Sequence, residues 1–314
     1  MKTSMLKKAR DYIHLRRSMG YIFDTEAYYL ESFGEYADKH AKGKPLTLRL
    51  ALEWAVLPNG AKTYHSLRLS FLRPFARYLI VSDPRTELIP DRILGPCSSR
   101  VIPYIYSAED ISRLMNTPVY QERQLLANKT VSTIIGLLAC SGLRIGEALS
   151  LKQADIDWKR NTIVVQWSKK LPSRLVPLDQ STMTVLRNYA TLRDTDSPDL
   201  GHGMFFRQTN GNSTSYEYFR GVWRRLLPKS GVGKSHPRLP RTHDLRHTFA
   251  CNHLLHAYEK KVDIDVAIHM LSIYLGHARL RETYWYLSVF QPLFETYGKQ
   301  FEKYIKTCRK ESNS

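Results

Sequence analysis

Cysteine is scarce in this 314-residue chain: Cys97, Cys140, Cys251 and Cys308 lie far apart and none forms a CxxC pair. So dispersed, they build neither a zinc ribbon nor a disulfide framework, and they fit a reducing compartment. Long apolar runs are lacking too. No stretch approaches the ~20 residues that span a bilayer, and the N-terminal MKTSMLKKARDYIHLRR is basic without the apolar centre of a signal peptide. The expectation is a cytoplasmic protein with no membrane partner. Acid is the third shortage, with 29 Asp plus Glu against 47 Lys plus Arg and a formal charge of +18. The excess runs from Lys7 and Arg16 to Arg309 and Lys310 rather than in one tail. That distribution suits a long polyanion such as nucleic acid. Apolar residues at 43% allow a sizeable core, and the length favours two domains over one.

Nucleotide and metal motifs are absent on inspection. Gly231-Val-Gly-Lys-Ser235 imitates the end of a phosphate-binding loop, but Pro228 stands where the pattern needs its first glycine. No apolar strand leads into it either. His243, His247, His253 and His256 surround Cys251, yet a single thiol and a competing use for His243 argue against zinc. No cofactor and no metal is expected.

Residues 1–95 read as mostly helical. Leu30, Phe33, Tyr36 and Ala37 are spaced for a helix over Tyr28–Lys42, and Pro45 and Pro58 bracket another over Leu46–Leu57. Asn59-Gly60 marks a turn before a long helical pattern from Ala61 to Val81, which Pro74 should kink or split. Leu67, Phe71, Phe75 and Tyr78 mark its apolar face. Lys62, Arg68, Arg73 and Arg77 are the basic positions around it, candidates for DNA phosphate contact as a set. Prolines 84, 90, 96 and 103 with Gly95 then predict an exposed stretch over Ser82–Pro103. The boundaries follow: a domain over 1–95, a linker over 96–103 and a second domain over 104–314. The linker's length would let two domains sit on opposite sides of a DNA duplex.

The second domain opens on SAEDISRLM, with Ser107 as N-cap and Asp110 three residues on. A strongly apolar helix over Ser132–Cys140 ends at Gly142, and Arg144 and Glu147 stand side by side at i and i+3 on the next helix. The clear β signal is a pair of strand-like runs, Thr162–Trp167 and Arg174–Leu178, flanking a short loop that holds Lys169, Lys170 and Pro172. Helical patterning resumes at Thr182, with breaks at Gln208–Ser215 and Pro228–Pro240. Phe290, Leu293, Phe294, Tyr297, Phe301, Tyr304 and Ile305 predict an amphipathic terminal helix, docked in its own domain or on a neighbouring subunit.

Arg144, Lys169, His243, Arg246, His277 and Tyr286 each have a dull reading alone, as surface pair, solvated lysine or core tyrosine. Their order and company change that. SGLRIGEALSL, a hairpin lysine ahead of Pro177, HDLRHTFA, and LGH with a tyrosine nine residues past its histidine together resemble the tyrosine recombinases of the phage integrase family. The resemblance covers the whole second domain. The N-terminal part is similar in kind to that family's core-DNA-binding domain, without a motif to carry it. The fold implied is mainly α: an all-helical N-terminal DNA-binding domain and an α-rich catalytic domain with a small antiparallel β-hairpin sheet.

The resemblance implies attack of a tyrosine on a scissile phosphate, leaving a 3′-phosphotyrosine and a free 5′-hydroxyl. Tyr286 would be the nucleophile, His243 the base and later acid, Arg144, Arg246 and His277 the phosphate cage, and Lys169 the leaving-group acid, with Lys170 as fallback. Glu147 would orient Arg144. The partners implied are double-stranded DNA, a homotetramer on two DNA sites, and accessory proteins, in a mobile-element or phage integrase. Two alternatives stay open, a non-catalytic DNA-binding regulator of the same fold and a relaxing topoisomerase of type IB chemistry. Two features depart from the usual pattern: a long gap between His243 and His277, and a second tyrosine, Tyr284, beside Tyr286.

Overall fold

The computed structural model describes residues 4–95, 102–166, 173–197, 199, 201, 203–277 and 279–286. The chain divides into two compact units, Met1–Val101 and Ile102–Ser314. The first holds four helices, α1 (Met5–Ser18), α2 (Asp24–His40), α3 (Leu48–Val56) and α4 (Lys62–Leu79). The Asp38 carboxylate accepts from the amides of Met5 and Leu6 at 2.7 and 3.1 Å, so the end of α2 satisfies the orphan donors that begin α1. Leu30, Phe33, Trp54, Leu69, Leu72 and Phe75 are the centre of this unit's core.

Four expectations for this unit need correction. Pro74 does not split α4, which runs unbroken because Leu72, Phe75 and Ala76 are packed around it. Burial there outweighs the one backbone hydrogen bond that proline forfeits. The buried face is Ser66, Arg68, Leu69, Leu72, Phe75, Ala76 and Leu79, turned from the predicted one, so that Leu67 is exposed. The basic set divides accordingly. Arg68 is buried, stacked 4.0 Å over the Trp54 ring and donating to the Trp54 carbonyl at 2.9 Å. Arg73 donates to the Pro90 carbonyl and pairs with Asp91 at 3.3 Å, leaving Lys62 and Arg77 as the solvent-facing members.

Residues 82–95, expected as exposed chain, pack back onto α3 and α4. Thr86 and Ile89 are buried, Glu87 N donates to Leu46 O at 2.9 Å, and Ser66 Oγ donates to Gly95 O at 2.7 Å. Proline there shapes a packed loop rather than an open one. The linker's next residues, 96–101, lie outside the described residues.

The second unit is built around α6 (Leu125–Ser141), apolar nearly all round and flanked by α5 (Ala108–Asn116), α8 (Gln180–Asp196) and α10 (Thr242–Glu259). Ser107 and Asp110 form the reciprocal capping box of α5. A short α7 (Ile145–Leu149) leads to β1 (Ile156–Asp157), β2 (Thr162–Val165) and β3 (Arg174–Pro177), an antiparallel sheet in that order. Ile163 pairs with Val176, and both are fully buried. The unpredicted strand β1, only two residues long, carries no periodicity for a sequence to show. α9 (Tyr216–Ser230) runs through Pro228, and α11 (Ile264–Leu275) precedes a helical segment over 281–286.

The Gly-Val-Gly-Lys-Ser segment follows a helix, not a strand. Gly231 caps α9 at φ +70°, and Gly233, also left-handed, presses against the Pro240 ring. The predicted terminal helix over Phe290–Ile305 lies outside the described residues.

Candidate active site

Two left-handed glycines set the frame. Gly142 ends α6 at φ +62° and Gly276 ends α11 at φ +64°, each a conformation that favours glycine. Past Gly142 the chain turns into α7, with Arg144 at its N-cap rather than within the helix and Glu147 at N3. The Arg144 amide donates to Glu147 Oε2 at 2.9 Å, and its Nη1 donates to Oε1 at 3.0 Å.

The last carbonyls of α11 have no helical partner, and three arginines take them in succession. Arg174 Nε donates to Tyr274 O at 2.9 Å, Arg246 Nη2 to Leu275 O at 2.7 Å, and Arg144 Nη2 to Gly276 O at 3.3 Å. The helix dipole, negative at this end, favours cations there. Arg246 also donates through Nη1 to Gly142 O at 2.8 Å, so one guanidinium joins both glycine turns. Burial and the charge of Arg144 lower this guanidinium to about 10, and it remains protonated at neutral pH. Glu147 is buried. Desolvation alone would raise its carboxyl, but hydrogen bonds from Arg174 and Arg144 bring it below the usual range.

His243 and Arg246 lie one turn apart on α10. Burial, then the charges of Arg246 and Arg241, lower the His243 imidazole, which keeps it neutral and able to accept a proton. His277 follows Gly276, its Nδ1 2.7 Å from Thr283 Oγ1. A Thr283 hydroxyl donating there leaves Nε2–H as the free donor. Burial and the Arg246 and Arg144 charges lower His277 to about 3.

Tyr286 is 2% exposed, its ring 6.1 Å from His277 in a stacked arrangement and 5.5 Å from His247. Burial raises the phenol above its ordinary value, while the charge of Arg246 beside it pulls the other way. Tyr284 is 40% exposed and donates to Asp265 at 3.0 Å, on the outer side of α11.

Arg144, Glu147, His243, Arg246, His277 and Tyr286 are therefore gathered at the ends of α6, α10 and α11. Lys169 and Lys170 lie outside the described residues. Among the described residues no cluster of three or more His, Cys, Asp or Glu side chains is placed to hold a metal. Three contributors escaped sequence reasoning. Arg174 grips Glu147 at 3.0 and 2.8 Å, Thr283 orients His277, and His247 stands between His243 at 4.7 Å and Tyr286. The i, i+4 spacing of His243 and His247 was the one signal available; Arg174 read simply as the start of a strand.

The sequence profile of the phage integrase family matches residues 106–291. A putative integrase/recombinase of Sinorhizobium fredii, y4rB, is 34% identical over 302 residues, covering 94% of this chain and 96% of that protein. Tyrosine recombinase XerC of Thermodesulfovibrio yellowstonii is 26% identical over 287 residues, 86% of each chain. Among solved structures, the Tn1549 transposon integrase in complex with transposon right end DNA superposes with a TM-score of 0.67 at 18% identity, covering 94% of this chain and 99% of that one. The XerH site-specific recombinase bound to its palindromic difH substrate gives 0.67 at 18% identity, covering 89% and 79%. The chain belongs to the phage integrase family of tyrosine recombinases, enzymes that break and rejoin DNA strands, and has their mainly helical fold with a small antiparallel sheet.

Proposed function

We propose that this protein is a site-specific recombinase of a mobile element, acting in the cytoplasm on double-stranded DNA through a 3′-phosphotyrosyl intermediate at Tyr286. One observation carries the reading: the Tyr286 phenol, two histidines and two guanidiniums converge where Arg246 bridges Gly142 and Leu275. A phenol of pKa about 10 costs roughly 4 kcal/mol to ionise at pH 7, so its proton needs an acceptor, and neutral His243 fits that role. The tyrosine oxygen bonds to phosphorus as the bond to the 5′-oxygen breaks. Arg144 and Arg246, with the His277 Nε2–H, suit the extra negative charge on the non-bridging oxygens. Lys169 gives the departing 5′-oxygen its proton. The phosphotyrosine keeps the phosphodiester energy, so a 5′-hydroxyl from another duplex can attack it in the reverse step. Exchange between two duplexes calls for four copies on two sites, with room for accessory proteins.

The test is a nicked duplex carrying the recognition site, from which the short fragment bearing the new 5′-hydroxyl escapes, so that the covalent adduct is trapped. Wild type and Tyr284→Phe should accumulate adduct, and Tyr286→Phe none; adduct from Tyr286→Phe would sink the nucleophile assignment. Inverted repeats in the DNA flanking the reading frame supply the candidate site. Relaxation of any supercoiled plasmid by a monomer, without preference for such repeats, would favour a topoisomerase instead.

A further inference from the structure

We infer that Arg174 is a positioning residue of the phosphate cage, one that engages Glu147 so that the charge of Arg144 is left for the scissile phosphate. The inference rests on the cage reading above. Glu147 is a buried carboxylate shared by two arginines: Arg174 takes both its oxygens, at 3.0 and 2.8 Å, while Arg144 reaches one with a single guanidinium nitrogen at 3.0 Å. The bidentate fork makes Arg174 the stronger partner. Its side chain is 13% exposed against 31% for Arg144, so Arg174 is the inner cation and Arg144 the one nearer solvent.

The path of Arg174 is also built for it. Gly276 has φ +64°, and a Cβ there would stand 3.0 Å from Arg174 Nη1 and 3.2 Å from its Cδ and Cζ. The glycine thus leaves the passage by which Arg174, the first residue of β3, crosses the end of α11 to reach Glu147. Counting Arg144, Arg174, Arg246 and Glu147, the cage carries two net positive charges. Without Arg174 it carries one, and Arg144 becomes the main partner of a buried anion. A phosphodiester brings one negative charge and develops a second in the transition state, matching two. A methylphosphonate, whose non-bridging oxygen is replaced by methyl, develops only one.

The experiment measures Tyr286 adduct formation on nicked duplexes with a phosphodiester or a methylphosphonate at the scissile position, in the same protein preparations. Arg174→Gln should slow the phosphodiester reaction on the order of a hundredfold and the methylphosphonate reaction by about threefold at most. The ratio of the two rates does not depend on the folded fraction. Arg174→Lys, which keeps the charge, should lose less than Arg174→Gln. The Glu147→Gln/Arg174→Gln pair, which restores two net charges, should be faster than Arg174→Gln alone. Equal losses on both substrates, or a double variant as slow as the single, would overturn the inference and leave the cage reading standing. A wild-type adduct that does not require Tyr286 would remove the reading itself and the inference with it.

Discussion

Replacing Gly142 by alanine tests whether a single turn sets the site. At φ +62° a non-glycine residue costs about 1–2 kcal/mol. The added Cβ would stand 2.5 Å from Phe249 Cδ1 and 3.1 Å from Leu275 Cδ2, in a fully buried place, and such overpacking adds about 1–3 kcal/mol. The sum, about 2–5 kcal/mol, corresponds to a fall in melting temperature of about 5–15 °C for a unit of this size. The Gly142 carbonyl anchors Arg246 at 2.8 Å, so relief of the clash moves a cage arginine. Since misplacement by about 1 Å can cost a hundredfold, a smaller shift should slow adduct formation about tenfold. Scanning calorimetry and the nicked-duplex assay read the two effects. Adding Phe249→Leu removes the closest contact and should recover the packing part while leaving the backbone part. A Gly142→Ala protein that melts within about 1 °C of wild type and cleaves at full rate would refute the reasoning.

Acid should destabilise the second unit before its carboxylates titrate. His247 and His277 are held at about 3, against an unfolded value near 6.5, chiefly by burial. Between those values the unfolded chain binds the protons and the folded chain does not, so stability is lost as pH falls from about 6.5. Each histidine accounts for up to about 2 kcal/mol between pH 7 and pH 5. His277→Gln should take its own share, up to about 2 kcal/mol between pH 7 and pH 5, off that slope in urea titrations, and an unchanged slope would exclude the histidine as a source. In the first unit, Arg68→Ala should destabilise by about 2–4 kcal/mol in urea unfolding, because it strips the Trp54 carbonyl and ring of a buried cation. Arg77→Ala should leave stability within about 0.5 kcal/mol. If that residue meets a phosphate, the substitution lowers the salt dependence of DNA binding by about one unit of slope.

What the sequence disclosed were features whose chemistry is local. Ser107 with Asp110, Gly142 after an apolar run, and the two longer strands around the lysine loop each announce themselves within a few residues. The candidate site was suggested by spacings shared with a known family, and the described members of that set lie together at the ends of α6, α10 and α11. What stayed hidden depends on contacts distant in the chain. Arg174 meets Glu147 across 27 residues and Tyr274 across 100, and nothing beside it marks it as more than a strand cation. Arg68 looked like a solvent-facing charge because its partner, the Trp54 carbonyl, lies in the preceding helix. The prolines of residues 82–95 signalled a break in regular structure correctly, but a break in periodicity does not say whether the chain is packed.

The carbonyls of Tyr274, Leu275 and Gly276 explain how so many cations can share one place before DNA arrives. Arginines within a few ångströms of one another repel, and Arg246, buried, is lowered to about 10 partly by Arg144. A helix end carries roughly half a negative charge, and Glu147 adds a whole one, so the guanidiniums are held but not neutralised. A phosphate entering the cage would supply the charge still missing and gain from donors already oriented, with no reorganisation left to perform. Tyr286 fits the same logic. Burial keeps its phenol protonated in the free protein, and a neutral phenol is a poor nucleophile. A phosphate held by Arg144 and Arg246 would cancel the cationic pull on that phenol rather than strengthen it, so activation would have to come from proton transfer to His243. On the proposed mechanism the cage would bind, and the histidine would time the attack.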